Sequence, residues 1–399
     1  MINIAAPALH QVRGLTETHS MTIKISDQFD AGAIEVVDAS KPEAITLNIR
    51  KDSQANFLQW FYFRLQGARG QPCTMRFLNA GMAAFPQGWS NYRAVASYDR
   101  RHWFRVPTSY DGNVLTVAHT PERDSVYYAY FEPYSWERHL ELLGKVEDAP
   151  YGRVADLGST IDGRDVNLAV IGDPAATKKV WVIARQHPGE SMAEWFVEGM
   201  IDALLDRSSS LARTLLGNAV FYIVPNMNPD GSVRGNLRTN AAGANLNREW
   251  MSPSMERSPE VFVVRNKMHE VGCDLFLDIH GDESLPYVFV AGCEMLEGFT
   301  AEQQAEQQAF IESFSRSSPD FQTKHGYEPG KYKEELLQLA SKYVGHTFKC
   351  VSLTLEMPFK DNANLPDDDA GWNGERSARL GQAILQPILH SLRKGGAWE

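Results

Sequence analysis

The sequence has few cysteines, and their placement excludes two classes of protein. Among 399 residues there are four, Cys73, Cys273, Cys293 and Cys350, and no two of them form a C-x-x-C pair. This spacing argues against both a disulfide scaffold and a thiolate zinc site. We therefore expect free thiols in a reducing compartment.

Positive charge and long apolar runs are also scarce. The 39 lysines and arginines are outnumbered by 50 aspartates and glutamates, which gives a net charge of -11. Proteins that bind nucleic acid neutralise phosphates with basic side chains, so we expect no nucleic-acid partner. No run of about 18 apolar residues is present, and residues 1–20 lack the apolar core of a signal peptide. We therefore expect a cytoplasmic protein with no membrane partner.

The length exceeds what one hydrophobic core usually supports, which favours two domains. Residues 1–20 are either a loose extension or lie upstream of a true start at Met21. Residues 21–135 contain short runs of aromatic and β-branched residues such as "FLQWFYFRL" (57–65), separated by turn residues such as "YDGN" (110–113). This pattern predicts an antiparallel β-sandwich.

Residues 136–399 show a different pattern, in which apolar strands alternate with amphipathic helices. We predict strands in the segments at 180–185, 219–225, 274–281, 287–292 and 351–357. We predict helices at 192–206, 260–272 and 378–394, and a polar helix followed by a loop at 300–335. The alternation indicates an α/β domain with a largely buried sheet.

Four residues with metal-binding or acid–base chemistry fall at the ends of three predicted strands. His187 and Glu190 follow the strand at 180–185, His280 closes the strand at 274–281, and Glu356 lies at the end of the strand at 351–357. Polar groups in such places need compensation, and sites in open α/β sheets gather at the carboxyl ends of strands. Two imidazoles and one carboxylate fit catalytic zinc, while a second carboxylate could act on water. The alternative is a set of ordinary polar residues satisfied by hydrogen bonds.

The segment 224–250 is too polar for a core strand and contains three arginines. It is either a surface loop rich in Asn and Gly or part of a binding site. The planar guanidinium of arginine suits a carboxylate, so the second reading implies a substrate that carries a carboxylate.

Several motifs together resemble a known family. The motifs "HPGE", "NPDG", "NLNREW", "DIHG" and "TLEMPF" occur in this order, after "QWFYFRL", "NAG" and "YYAYFEPYSW". The sequence from 21 to 399 thus resembles the zinc metallocarboxypeptidases, and most closely their cytosolic carboxypeptidase branch. The resemblance implies an α/β fold in which an N-terminal antiparallel β-sandwich precedes a carboxypeptidase-like domain with a mixed, largely buried sheet flanked by helices.

The resemblance also implies a zinc site. His187, Glu190 and His280 would bind one zinc ion per chain. Glu356 would be the general base that takes a proton from the water on the metal and then protonates the leaving amine. The implied reaction is hydrolysis of a peptide bond.

The same resemblance implies the residues that hold the substrate. Arg238, nine residues before Asn247, would stabilise the oxyanion, and Asn247 and Arg248 would bind the terminal carboxylate. Such a clamp makes the enzyme an exopeptidase that acts on the C-terminus of a peptide or protein. The cytosolic branch further implies a preference for C-terminal or side-chain-linked glutamate.

Three residues have open interpretations. Tyr327 and Tyr332 are candidates for a tyrosine that closes over the substrate, or are ordinary loop aromatics. Lys342 either pairs with an acidic side chain of the substrate or, as we expect, lies on a solvated helix face.

Two other functions compete with the peptidase. One is a related zinc amidohydrolase that deacylates N-acyl amino acids, although such enzymes usually lack a β-sandwich ahead of the catalytic domain. The other is a catalytically weak binding protein on the same fold, for which we would expect an altered ligand or base.

Overall fold

The computed structural model describes residues 23–328, 330–331 and 333–393, with the backbone alone at residue 334. The predicted extension at 1–20, the alternative start Met21 and the candidate Tyr332 lie outside these residues. Within the described ranges, no helix is both long and apolar enough to cross a membrane.

Two five-stranded sheets form the first part of the described chain. Their strands are β1 (Lys24–Ser26), β2 (Glu35–Asp38), β3 (Ile45–Asn48), β4 (Tyr62–Gln66), β5 (Cys73–Phe77), β6 (Val95–Ser97), β7 (Phe104–Arg105), β8 (Thr108–Tyr110), β9 (Leu115–His119) and β10 (Ser125–Ala129). Short 3-10 helices cover Pro42–Ala44, Ala80–Met82 and Pro86–Trp89. The sheet orders are β1-β4-β10-β6-β7 and β2-β3-β5-β9-β8.

The two sheets pack face to face around aromatic side chains. Phe63 on β4 and Phe77 on β5 are buried, with ring centroids 6.2 Å apart. The pairs are antiparallel except β3 with β5, and β8 pairs with β9 across the predicted "YDGN" turn. The predicted β-sandwich is confirmed.

A seven-stranded sheet forms the second part. Its strands are β11 (Gly152–Ser159), β12 (Asp165–Ile171), β13 (Lys178–Ala184), β14 (Ala219–Val224), β15 (Leu275–Asp282), β16 (Phe289–Ala291) and β17 (Val351–Pro358). The helices are α1 (Trp136–Glu147), α2 (Met192–Leu205), α3 (Ser210–Leu216), α4 (Pro229–Arg234), α5 (Pro259–Val271), α6 (Ala301–Ser317), α7 (Ala340–Phe348), α8 (Gly374–Ala383) and α9 (Leu385–Arg393). Two 3-10 helices cover Leu246–Arg248 and Lys333–Gln338.

The sheet is mixed, in the order β11-β12-β14-β13-β15-β17-β16. Its four central strands, β14, β13, β15 and β17, are parallel, and β12 and β16 pair antiparallel to their neighbours. Buried side chains of α2 and α9 pack on one face, and those of α5 and α7 pack on the other. The predicted α/β domain is confirmed.

One predicted helix is divided in two. The segment at 378–394 belongs to α8 and α9, which are separated at Ile384. Pro387 lacks the N–H that would bond to the carbonyl of Ala383, so a continuous helix cannot form there.

The two parts of the chain share an extensive buried interface. The ring of Tyr130 stacks on Phe359 with centroids 4.6 Å apart. Arg105 on β7 is buried, and its Nη2 donates to the carbonyl oxygens of Phe359 and Trp372 at 2.9 and 2.8 Å. One apolar cluster contains residues of both parts. The division into domains at 21–135 and 136–399 stays a prediction, with the boundary falling just before α1.

Candidate active site

Three neighbouring parallel strands bring four of the predicted residues together. His280 on β15 lies beside Glu356 on β17 in the strand register. His187 and Glu190 lie in the loop between β13 and α2, and β13 pairs with β15 on the other side. The carboxyl ends of the three strands thus meet at one edge, as the sequence predicts.

The loop that carries His187 and Glu190 is held from inside the protein. Arg185 has a φ of 58°, which turns the chain sharply at the end of β13. Its guanidinium donates to the carbonyl oxygen of Pro188 at 2.9 Å and to that of Tyr134 at 3.0 Å. The amide of Glu190 donates back to the carbonyl of His187 at 3.1 Å, so both side chains face the same side.

His187, Glu190 and His280 form a compact group, called here the His–Glu–His cluster. One potential ligand atom from each lies within 4.8 Å of the others. The Nδ1 atoms of His187 and His280 are 3.2 Å apart, and they lie 2.6 and 2.7 Å from the two oxygens of Glu190. All three residues are buried.

The outer nitrogens of both imidazoles contact acceptor oxygens. His187 Nε2 lies 3.0 Å from Asn245 Oδ1, and His280 Nε2 lies 2.9 Å from Asp278 Oδ1. When each Nε2 donates its proton outward, the Nδ1 lone pairs converge beside the Glu190 carboxylate. This N/N/O donor set fits a zinc ion with further positions open to water or substrate.

The electrostatics of the cluster favour a cation. Burial, aided by the charge of Arg238, lowers the pKa of His187 to about 3 and keeps its ring neutral. Burial alone would raise the pKa of Glu190, but the two histidines outweigh it and keep the carboxylate ionised. Burial likewise opposes the charged form of His280, but Asp278 and Glu190 raise its pKa well above the usual value. The site attracts positive charge, and metal binding would displace that proton.

Glu356 faces the same space as the cluster. Its Oε1 accepts a hydrogen bond from the Tyr327 hydroxyl at 2.8 Å, and that hydroxyl is also 3.0 Å from Asp282 Oδ2. Its Oε2 is buried and has no hydrogen-bond partner among the described residues. Burial is the main reason that the pKa of Glu356 rises to about 8, and the charge of Glu190 adds to the effect.

The three predicted substrate residues line the same cavity. Arg238 Nη1 is 4.0 Å from Glu190 Oε1. Asn247 Oδ1 accepts from the amide of Ala340 at 2.8 Å, and Arg248 forms an ion pair with Glu335. The cavity has a volume of about 680 Å³, and all seven predicted site residues contribute to its wall.

Sequence reasoning missed the outer partners of the histidines and misjudged Lys342. Asp278 precedes His280 by two positions, so on a strand both side chains point to the same face, a signal that could have found it. Asn245 lies in an irregular segment and offered no such signal.

Lys342 is buried and lines the cavity, rather than lying on a solvated helix face as expected. The structure brings Tyr327 onto Glu356, while Tyr332 lies outside the described residues.

Comparison with known proteins covers both parts of the chain. Residues 25–131 match the cytosolic carboxypeptidase N-terminal domain, and residues 146–370 match the zinc carboxypeptidase family. A metallo-carboxypeptidase from Burkholderia cenocepacia is 62% identical, with a TM-score of 0.92 over 94% of this chain and 100% of that one.

Two further relatives are more distant. A metallo-carboxypeptidase from Pseudomonas aeruginosa, solved in complex with (2-guanidinoethylmercapto)succinic acid, is 46% identical, with a TM-score of 0.88 over 93% of this chain and 100% of that one. Mouse cytosolic carboxypeptidase 4 is 27% identical over 74% of this chain, which spans 31% of the mouse protein. The chain belongs to the zinc carboxypeptidase family and is a metallocarboxypeptidase, a peptidase whose metal is zinc.

Proposed function

We propose that the enzyme removes the C-terminal residue of peptides or proteins, with a preference for glutamate, including glutamate linked through a side chain. The observation that carries the proposal is the cavity that His187, Glu190, His280, Glu356, Arg238, Asn247 and Arg248 line together. Each of these residues has one role in the reaction described below.

Zinc would be held by Nδ1 of His187, Nδ1 of His280 and the carboxylate of Glu190. The support is the convergence of these atoms while both Nε2 atoms contact acceptor oxygens. Bound there, zinc would supply a Lewis acid that polarises the scissile carbonyl and a water molecule.

Glu356 would move the proton. Its carboxylate lies at the cavity wall, and a pKa of about 8 lets it both accept and return a proton near neutral pH. It would take a proton from the attacking water and give it to the leaving amine. Tyr327 donates to Glu356 and thereby favours its ionised form, which is the form that acts as a base.

Arg238 would stabilise the negative charge that develops on the carbonyl oxygen. Its guanidinium lies beside the Glu190 carboxylate, on the cavity side of the His–Glu–His cluster. A fixed cation at this point acts where charge forms in the transition state.

Asn247 and Arg248 would bind the terminal carboxylate and so select the last peptide bond. Arg248 pairs with the carboxylate of Glu335, so its guanidinium is already directed at a carboxylate. Its Nη1 donates to the carbonyl of Asn247 at 2.8 Å, which fixes the two residues relative to each other. A substrate carboxylate would compete with Glu335 for this guanidinium.

Lys342 would receive an acidic side chain of the substrate. It lies in the first turn of α7, whose first residue, Ala340, contacts Asn247. Its ammonium donates to the carbonyl oxygen of Gly292, a neutral acceptor. A substrate carboxylate would add an opposite charge to this buried cation.

The compound bound by the Pseudomonas relative carries two carboxylates and a guanidinium. Two carboxylates would suit Arg248 together with Lys342, whereas the guanidinium would suit an acidic pocket. A peptide series must therefore include both acidic and basic C-terminal residues.

The proposal is tested with peptides that end in Glu, Gln, Leu or Arg, a side-chain-linked glutamate and a set of N-acyl amino acids. We expect the glutamate substrates to have the highest kcat/KM. Lys342→Met should remove roughly ten- to hundredfold of the preference for Glu over Gln. Lys349→Met, at the exposed residue that follows the last residue of the same helix, should leave the preference unchanged. Faster hydrolysis of N-acyl amino acids would favour the deacylase, and a preference for Arg would refute the role of Lys342.

The cellular setting is part of the same proposal. We propose that the enzyme acts in the cytoplasm on peptide or protein C-termini and binds neither nucleic acid nor membranes. The name of the mouse relative supports the location, and the family supports the class of substrate. Fractionation of the native cells would test the location, and recovery of the enzyme outside the cytoplasm would refute it.

A further inference from the structure

The backbone around Arg238 is bound by a residue from the first part of the chain. Asp52 Oδ1 accepts from the amide of Leu237 at 2.6 Å. Its Oδ2 accepts from the amides of Arg238 and Thr239 at 2.8 and 2.9 Å, and from the Thr239 hydroxyl at 3.1 Å. One carboxylate thus binds four donors on three successive residues, about 185 positions later in the chain.

Asp52 is itself fixed and enclosed. Its backbone amide donates to the carbonyl of Phe57 at 2.8 Å, and only 6% of the residue is exposed. A buried carboxylate is costly unless hydrogen bonds satisfy it, and here donors of the second part of the chain satisfy both of its oxygens. The carboxylate and the segment 237–239 therefore hold each other in place.

The side chain of Arg238 also contacts the first part of the chain. Its guanidinium carbon lies 5.2 Å from the centre of the Phe85 ring and 6.0 Å from that of Phe57. Contacts at these distances orient a guanidinium through cation–π attraction. Residues of the sandwich thus contact both the backbone and the tip of Arg238.

We propose that Asp52 is a positioning residue for the reaction, since it sets the place from which Arg238 reaches the carbonyl oxygen of the substrate. The inference rests on the role proposed for Arg238. The sandwich would then complete the active site rather than only cover it. Displacement of a catalytic group by about 1 Å can cost on the order of a hundredfold in rate, so four hydrogen bonds on this segment have a measurable effect.

The segment 237–239 also contacts the metal-binding loop, and the experiment must distinguish an effect on that loop from a displacement of Arg238. The carbonyl of Leu237 accepts from the amide of Gly189 at 2.9 Å, in the loop that carries His187 and Glu190. Loss of Asp52 could therefore act through the metal site. Zinc content and KM distinguish this route from a displacement of Arg238.

The test is Asp52→Asn, which keeps the size of the side chain. An amide presents its oxygen either to Leu237 or to Arg238 and Thr239, so one group of donors faces an NH2 group. We expect kcat to fall about ten- to hundredfold, with KM and one zinc per chain retained. The control is Ser53→Ala, which loses only a hydroxyl contact of 3.2 Å to Asn236 and should keep the native kcat. Native kcat in Asp52→Asn would refute the inference.

A double-mutant cycle decides whether Asp52 acts through Arg238. Arg238→Ala alone should lower kcat, and adding Asp52→Asn should lower it no further. If Asp52→Asn lowers kcat as much in the Arg238→Ala background as in the native enzyme, or if zinc is lost, Asp52 acts elsewhere. That result would refute this inference but not the role proposed for Arg238. Full activity of Arg238→Ala would refute the role of Arg238 and with it this inference. If Asp52→Asn does not fold, Thr239→Val removes one donor and takes its place in the same cycle.

Discussion

Two buried groups of His and Glu lie close together in this enzyme and differ in how they are satisfied. In the Arg–Glu–His cluster, Glu194 accepts from Arg185 at 2.7 Å and lies 2.6 Å from Nδ1 of His139. Asn226 donates to the same carboxylate at 3.2 Å. In the His–Glu–His cluster, two imidazole nitrogens and a carboxylate converge on one point at the wall of a cavity.

The difference lies in the source of positive charge. In the Arg–Glu–His cluster the guanidinium of Arg185 supplies the cation, and the cluster holds the loop through the bond to Pro188. In the His–Glu–His cluster, Asn245 and Asp278 contact the outer Nε2 atoms of the two imidazoles. The inner Nδ1 atoms and the Glu190 carboxylate can therefore bind a cation that comes from outside the protein. Buried polar groups therefore indicate a metal site when their lone pairs converge, and a structural network when a side-chain cation already satisfies them.

The largest expected effect separates the two clusters by their metal dependence. His187→Ala should reduce zinc from about one ion per chain to nearly none, with loss of all activity, because one of three ligands is removed. His139→Ala should retain zinc but lower the free energy of unfolding by about 1–3 kcal/mol, since it removes a buried hydrogen-bond partner of Glu194. Elemental analysis and chemical denaturation measure the two quantities. Zinc loss in His139→Ala, or full zinc in His187→Ala, would reverse the comparison.

The next effect concerns a carboxylate that faces the cavity. Glu356→Gln should lower kcat at least about a hundredfold, because the amide cannot take a proton from water. Zinc content and melting temperature should stay close to native values. Glu194→Gln is the matched control, with the opposite result expected: a lower melting temperature and little change in kcat of the folded fraction. Normal turnover of Glu356→Gln would remove that residue as the base.

A smaller effect concerns Arg248, whose guanidinium would bind the substrate, in contrast to that of Arg185, which holds the fold. Arg248→Ala should raise KM for substrates with a free C-terminal carboxylate roughly ten- to hundredfold, as expected for loss of a charged hydrogen bond. Amidated peptides, which lack that carboxylate, should be hydrolysed slowly, and at the same rate by the native enzyme and by Arg248→Ala. Steady-state kinetics on the two peptide sets gives the answer. An unchanged KM for the free acid would exclude Arg248 from the clamp.

The two clusters also show which features of the fold and site could be predicted from the sequence and which could not. The strand segments and the positions of His187, His280 and Glu356 at their ends followed from apolar runs that end in polar residues, because strand periodicity is local information. Glu190 was predicted as a ligand, but nothing local to the sequence showed that Glu194, four positions later, belongs to a buried network, since its partners His139 and Asn226 are distant along the chain. The burial of Lys342 was misjudged for the same reason. The antiparallel pair β11–β12 was not singled out, because its residues alternate less clearly.

The smallest expected effect concerns the proton affinity of Glu356. The Tyr327 hydroxyl donates to Glu356 and so lowers its pKa, against the effect of burial. Tyr327→Phe removes that donor, so the pKa of Glu356 should rise by about half a unit to one unit, the value of a single hydrogen bond. Because the base acts when ionised, the acid limb of the kcat/KM profile should move to higher pH, and activity at pH 6 should fall more than at pH 9. Tyr287→Phe, whose ring stacks on His325, is the control with an unmoved limb. A limb that stays in place in Tyr327→Phe would mean that a group other than Glu356 sets it.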